Sequence, residues 1–287
     1  MQNNHQQLST IPPLAGVGLR AEHYQEIIKL KPDIAWFEVH SENYFSKGGK
    51  PHYYLEIIRQ NYPLSFHGIG LSLGSSDELN LHHLKQLKIL IERYEPYFVS
   101  EHLCWSSINN KYFNDLLPLP YNEESLNHIT DRINKVQDYL NRKILIENIT
   151  SYLQFTHSSM VEYEFINLIA QKTGCGIVLD INNLFINSIN HQWDVKDYIK
   201  NINSKYIQEI HLAGFTENLL DNGSILIDTH DKPVAYDVWE VYLFALHIIG
   251  NKPTLIEWDK NLPPLDILLN EANKANYILK NRHVPTM

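Results

Sequence analysis

Short apolar runs alternate along the chain with longer stretches whose apolar residues recur at helical spacing. Eight runs read as strands: Val17–Arg20, Ile34–His40, Leu64–Ile69, Phe98–Leu103, Ile144–Ile149, Ile177–Ile181, Ile207–Ala213 and Thr254–Trp258. Between and after them lie helix-like segments at Glu22–Leu30, His52–Gln60, Asp77–Tyr94, Glu123–Leu140, Met160–Lys172, Val195–Asn201, Tyr236–Ile249 and Leu265–Leu279. Strands that alternate with helices form βα units and a parallel sheet. Eight such units in about 250 residues predict an α/β fold of the (β/α)8 TIM-barrel type. A doubly wound open sheet is the alternative.

Boundary residues agree with this pattern. Asn122 precedes Glu123 and Glu124, a cap with acidic residues in the first turn. Asp77 follows a Gly-Ser-Ser turn and reads as the cap of the third helix. Lys172-Thr-Gly174 ends a helix with a cation and a glycine. No linker interrupts the series, so residues 1–287 read as one domain with a core at about 14–281. The longest irregular stretch is Gly214–Val234, and a loop of that length in a compact domain is usually functional.

The strand ends carry the chemistry. His67 ends the third strand, Glu101-His102 the fourth, Glu147-Asn148 the fifth, and Asp180 the sixth, with Asn183 three residues on. Glu209-Ile-His211 ends the seventh and Glu257 the eighth. The long loop adds Asp228-Thr-His230, whose alternate side chains share one side of an extended chain. In a barrel, all of these face one mouth. Taken singly, each residue has a plain reading: a cap, an ion-pair partner or a hydrogen-bonded core histidine. Together they do not, because carboxylates and histidines crowded at a low-dielectric mouth need cations to offset their desolvation. Divalent metal meets that need. His40, Glu42 and Asn43, at the second strand end, read with Glu101 and Asn148 as substrate contacts or supports of the ligands. Of the other histidines, His5 lies in the N-terminal tail, and His82 and His83 read as the solvated side of the third helix.

Composition narrows the function. The 287 residues are 44% apolar and 20% charged, ordinary for a globular enzyme. The net charge of −9 and the lack of a basic stripe disfavour nucleic-acid binding. Fifteen histidines are an excess that metal binding or proton transfer explains. Two cysteines, Cys104 and Cys175, form no disulfide framework and suit a reducing, cytoplasmic setting. The N-terminus lacks the basic patch and apolar core of a signal peptide, and no apolar run approaches the roughly 18 residues of a membrane span. Phosphate-binding glycine loops and the nucleophile elbow are absent.

The order His, His, Glu, Asp, His, Asp-x-His, Glu resembles that of the trinuclear metal barrels of the xylose-isomerase-like superfamily. Local motifs are closer still: Gly16-Val-Gly-Leu-Arg20, Trp36-Phe-Glu-Val-His-Ser-Glu-Asn-Tyr44, Phe66-His-Gly-Ile-Gly-Leu-Ser-Leu-Gly74, Ser100-Glu-His-Leu103, Leu117-Pro-Leu-Pro-Tyr121, Leu179-Asp-Ile-Asn-Asn183, Glu209-Ile-His-Leu-Ala-Gly214, Ile227-Asp-Thr-His-Asp231 and Leu255-Ile-Glu-Trp-Asp259. Together they resemble the multinuclear non-heme iron-dependent oxidases, from about Gly16 to Ala272. That resemblance implies an enzyme that modifies cysteines of a ribosomally made precursor peptide with dioxygen as co-substrate, working beside a small peptide-presenting partner protein. It implies two to three iron ions of mixed valence. His67, His102 and Glu147 would hold one; Glu147, Asp180, His211 and Glu257 a second, forming the catalytic group; and Asn183, Asp228 and His230 a third. Asn183 departs from the histidine of endonuclease IV and moves the site away from a zinc nuclease. The competing readings are a metal-dependent phosphodiesterase of the AP-endonuclease kind, a sugar isomerase and a non-enzymatic metal or peptide carrier. The sequence carries no signal for oligomeric state, and a homodimer remains open.

Overall fold

The computed structural model describes residues 10–109, 111–221 and 223–284. Its centre is a closed barrel of eight parallel strands: β1 (Ala15–Gly18), β2 (Phe37–His40), β3 (Leu64–Gly68), β4 (Phe98–His102), β7 (Leu145–Glu147), β8 (Gly176–Asp180), β9 (Ile207–Ala213) and β12 (Thr254–Glu257). Each strand pairs with its neighbour in sequence order, and β12 closes on β1 through Ala15–Thr254, Gly16–Leu255 and Val17–Ile256. The open-sheet alternative is thereby excluded. Two hairpins leave the barrel at its C-terminal face: β5 (Trp105–Ile108) with β6 (Lys111–Leu117), and β10 (Phe215–Leu220) with β11 (Gly223–Asp228). The second occupies most of the stretch read as irregular loop, and its six-residue antiparallel register carries Asp228 back to the mouth.

Helices α1 (Tyr24–Leu30), α2 (Lys50–Arg59), α3 (Leu81–Tyr94), α4 (Glu123–Leu140), α5 (Glu162–Thr173), α7 (Val195–Asn201), α8 (Tyr236–Ile249) and α9 (Leu265–Asn281) ring the barrel. A further helix, α6 (Ile181–Asn190), starts directly from β8 and has no counterpart in the sequence reading. Its cap is Asp180, whose carboxylate accepts the Asn183 backbone N–H at 2.6 Å. The reading of Asp77 as the α3 cap is corrected: α3 begins at Leu81, and Asn80 accepts the backbone N–H of His83. Asn122 caps α4 as expected, accepting from Ser125. Gly174 ends α5 in the left-handed conformation at φ 69°.

Strand residues alternate between two cores because successive side chains leave opposite faces. Val39, Phe66, Ile146, Leu179, Ile210, Leu212 and Ile256 belong to the large shell between strands and helices. Ile11, Trp36, Phe98, Leu145, Val178 and Leu255 form a separate cluster plugging the barrel interior. Above that plug, two residues further along each strand, stand Glu38, Ser100, Glu147, Asp180 and Glu257. The apolar plug therefore forms the floor of the polar mouth. Trp36 crosses the lumen only because β1 offers glycine: a Cβ at Gly16 would lie 2.4 Å from the indole. Gly16→Ala is expected to destabilise the fold by about 1–3 kcal/mol through overpacking, read as a lowered midpoint in thermal melts.

Candidate metal centre

Glu147 stands at the centre of the mouth. Its Oε2 lies 3.3 Å from His67 Nε2 and 3.7 Å from His102 Nε2, and its Oε1 lies 3.4 Å from His211 Nδ1. His211 Nδ1 is also 3.4 Å from Glu257 Oε2. Two groups result, each with ligand-type atoms within 4.8 Å of one another: His67, His102 and Glu147, and Glu147, Asp180, His211 and Glu257. Glu147 belongs to both. Asp180 and His211 are fully buried, and Glu147 Oε2, Asp180 Oδ2 and both His211 ring nitrogens have no hydrogen-bond partner. Buried polar atoms are normally paired, so this orphaned set could hold cations.

Support comes from neighbouring atoms. Ser100 Oγ meets His67 Nδ1 at 2.7 Å and Gly68 O meets His102 Nδ1 at 3.1 Å, leaving both Nε2 atoms on the Glu147 side. Asn148 clips β7 to β8: its amide donates to Asp180 O and accepts from Asp180 N, both at 2.9 Å. The clip holds the Asp180 backbone, and the Asn148 carbonyl accepts from the Asn183 amide at 3.0 Å.

The third expected group is less closely drawn together. His230 Nε2 approaches Asp228 Oδ1 at 2.8 Å, and His230 Nδ1 lies 3.7 Å from Glu257 Oε2, which joins the pair to the centre. Asn183 Oδ1 accepts from the Thr150 hydroxyl at 2.6 Å, and it is Asn182 whose amide donates to Asp228 Oδ1. His230 sits at φ 49°, a backbone region costly for a non-glycine residue. The N–H groups of Asp259 and Lys260, both donating to His230 O, hold it there.

The remaining candidates fall on the rim. His40 Nε2 is 3.8 Å from both Glu257 Oε1 and Asp259 Oδ2, and 3.3 Å from Arg20, which pairs with Asp259. Glu42 and Glu101 fasten the glycine-bearing loop after β3: Glu42 accepts from the backbone of Ile69 and Gly70, Glu101 from that of Leu71. Asn43 is exposed on the turn Ser41–Tyr44. His82 is exposed, but His83 is not the solvated residue expected: its ring packs edge-on against Phe45 and lies 3.5 Å from Glu42. His5 lies outside the described residues. Cys104 and Cys175 are buried free thiols. The sequence reading missed Glu38, Arg20 and Asp259 as parts of the site and passed over Glu209. The two-residue spacings Glu38–His40, Glu209–His211 and Glu257–Asp259 place each pair on one strand face, the signal that would have found them.

The electrostatics follow from crowding. Burial, then His102 and His211, push His67 well below the usual histidine range. Burial works against a charged His102, yet Glu147 and Glu101 outweigh it and raise its pKa to about 9. His211 and His230 are likewise raised against burial, His211 by Glu147 and Glu38, His230 by Asp228 and Glu257. Burial and the charges of Glu147 and Asp228 drive Asp180 well above the carboxylate range. Glu257 and Asp259 go the other way despite burial: His230 and His211 lower Glu257, and His230 and Arg20 lower Asp259 to about 2.

Fold and site define a class: a (β/α)8 barrel with a histidine and carboxylate centre at the C-terminal mouth of its closed parallel sheet. The chain aligns over 94% of its length with a D-allulose 3-epimerase from Methylomonas sp. solved with D-allulose, covering 97% of that chain at TM-score 0.60 and 11% identity. A xylose isomerase-like TIM barrel protein from Mycobacterium smegmatis, solved with magnesium, aligns over 96% of the chain and 91% of its own at TM-score 0.57 and 10% identity. These likenesses establish the fold. Residues 14–280 match the family described as RiPP precursor modification enzyme MbnB/TglH/ChrH, and the chain belongs to it. UPF0276 proteins of Vibrio parahaemolyticus and Acaryochloris marina are 47% and 48% identical, the first over 95% of both chains and the second over 93% of this chain and 96% of its own.

Proposed function

We propose that this enzyme is a multinuclear iron-dependent oxidase acting on cysteine residues of a ribosomally made precursor peptide. The observation that carries the reading is Glu147, one buried carboxylate shared by two groups of orphaned histidine and carboxylate atoms, in a family of precursor-modifying enzymes. Neutral imidazole and carboxylate are ligands that iron accepts. His67, His102 and Glu147 would hold one ion; Glu147, Asp180, His211 and Glu257 a second; Asp228 and His230, with Asn183, a third. Bound iron would supply a ligand position for the cysteine thiolate and a means of using dioxygen as the oxidant.

The chain's own residues do the rest. The apolar plug headed by Leu145, Val178 and Leu255 closes the mouth from below and keeps solvent out of the lumen. The loop fastened by Glu42 and Glu101, together with the Arg20–Asp259 pair, fixes the rim over which a peptide would lie. Exposed Tyr112 and Phe113 on β6 and Leu219 and Leu220 on β10 offer apolar contact to a peptide-presenting partner protein.

Co-expression in air with short cysteine-containing peptides from the same genome is expected to change the mass of the one that is the precursor. The change should disappear without oxygen, when the cysteine is replaced by serine, or when iron is withheld. A protein that takes up zinc or manganese but no iron and cleaves a phosphodiester would overturn the reading.

A further inference from the structure

Beside the mouth lies a cavity of about 630 Å³ that the metal centre does not use. Its walls come from the segments between β6 and α4 and between β7 and α5, from the end of α6 and from the start of α7. A cavity of that volume falls in the range of ligand sites. It shares a wall with the centre. Asn187 stands one turn after Asn183 on α6. The Asn187 side chain accepts the Ser151 N–H and donates to Ile149 O, both at 2.8 Å, while Thr150 between them donates to Asn183.

The lining is aromatic and acidic. Trp193 stacks on Tyr198 with ring centroids 5.6 Å apart, and Tyr163 meets Tyr198 edge-on at 5.6 Å. Glu162, Asp194 and Asp197 line the same space, and among the described residues no lysine or arginine does. Tyr121 donates to Glu162 Oε1 at 2.8 Å. The Tyr198 hydroxyl faces the same carboxyl without completing a hydrogen bond, although the residue is only 4% exposed. Buried hydroxyls normally have a partner. Burial pushes Glu162 up to about 7 even with two hydroxyls turned toward it. An acid without a positive partner, set among aromatic faces, is the surrounding that stabilises an organic cation. Leu153 and Val161, exposed beside it, offer contact to an apolar stem.

We propose that this cavity is a second binding site for the precursor peptide, taking the side chain of a lysine or arginine through Glu162 and the aromatic wall of Trp193, Tyr163 and Tyr198. The inference rests on the peptide reading above. A free alkylammonium or guanidinium compound has the same chemistry. The peptide is favoured because the Ile149–Ser151 wall separates the cavity from the centre where its cysteine would sit.

The test uses the full chain freed of metal, with Nα-acetyl-arginine amide as the probe and Nα-acetyl-leucine amide as its neutral counterpart. NMR follows the indole N–H of Trp193, identified by its loss in Trp193→Phe. The arginine probe is expected to shift that signal saturably, and the leucine probe to bind at least about tenfold more weakly. Glu162→Gln keeps an acceptor for Tyr121 and is expected to weaken the arginine probe about 10- to 100-fold, the loss of a charge-assisted contact. Tyr198→Phe removes only the unpartnered hydroxyl and is expected to weaken it about two- to tenfold; it decides the matter should Glu162→Gln fail to fold. Equal binding of both probes, binding of neither, or full binding by the folded variants overturns the proposal, as a purely structural Glu162 would lower the melting point and leave the probe untouched. Short cysteine-containing peptides from the same genome are then added against the arginine probe. One is expected to displace it, and to stop doing so when its lysines and arginines are replaced by glutamine. If the probe binds and no peptide displaces it, the ligand is a free cation and the proposal fails. Displacement by a peptide that the iron-loaded enzyme leaves unchanged in air would sink the oxidase reading and keep the cavity.

Discussion

Replacing Glu147 by glutamine is expected to empty the mouth of most of its metal and to stop modification of the precursor peptide. The substitution conserves volume, so the packing of β7 is kept. What changes is the donor set. A carboxylate offers both oxygens as anionic ligands, and Glu147 uses one toward His67 and His102 and the other toward His211. The amide offers one neutral oxygen and turns an N–H₂ donor toward whatever would bind the second group. Both expected iron positions lose a ligand at once, unlike His102→Ala, which touches one of them. Loss of charge stabilisation worth several kcal/mol predicts a fall in modification rate of about a thousandfold or more. Metal analysis of protein purified without oxygen reads the first effect, and mass spectrometry of the co-expressed peptide the second. Circular dichroism checks the fold, and His82→Ala, exposed on α3, serves as the unaffected control. Full iron content in Glu147→Gln would show that the two groups do not share this ligand.

The barrel was legible because its signals are local and repeated. Each apolar run with its terminal histidine or carboxylate states both a strand and the end of that strand, and β9 from Ile207 to Ala213 and α4 from Glu123 to Leu140 are recovered to the residue. The hairpins were not legible. β10 carries Thr216, Glu217 and Asn218 between Phe215 and Leu219, with no apolar face to bury, so nothing in its pattern separates it from loop; pairing with β11 alone makes it a strand. Helix α6 was hidden for a different reason, since Ile181 follows β8 with no turn residue between them and only the Asp180 cap marks the change. At the site, residues ending strands stood out, while those inside a strand did not. Glu38 reads as an ordinary polar residue between Phe37 and Val39 until the closed barrel brings it opposite Glu209.

The metal-free protein is expected to lose stability as the pH rises from about 6 to 9, and the iron-loaded protein to gain it over the lower part of that range. In the folded chain the pKa of His102 is raised to about 9, and those of His211 and His230 are raised as well. A histidine of raised pKa contributes stability that is complete below its unfolded value near 6.5 and is lost as the pH climbs through the folded value. For His102 alone the shift corresponds to about 3 kcal/mol. Asp180 and Glu209 act in the same direction: burial raises both, Glu209 to about 8, so the folded state keeps protons that the unfolded chain releases near pH 4. Glu257 and Asp259, held low by His230 among others, contribute above their unfolded values and lose that contribution only in acid. Metal reverses the sign, because histidine and carboxylate ligands must shed their protons to bind it and binding strengthens as protons become scarce. Thermal melts of chelator-treated and ferrous-loaded protein, taken without oxygen from pH 5 to 9, should give curves that diverge with rising pH. Parallel curves would mean that the ion binds away from these histidines, since only a ligand set that trades protons for metal makes the two states respond to pH in opposite directions.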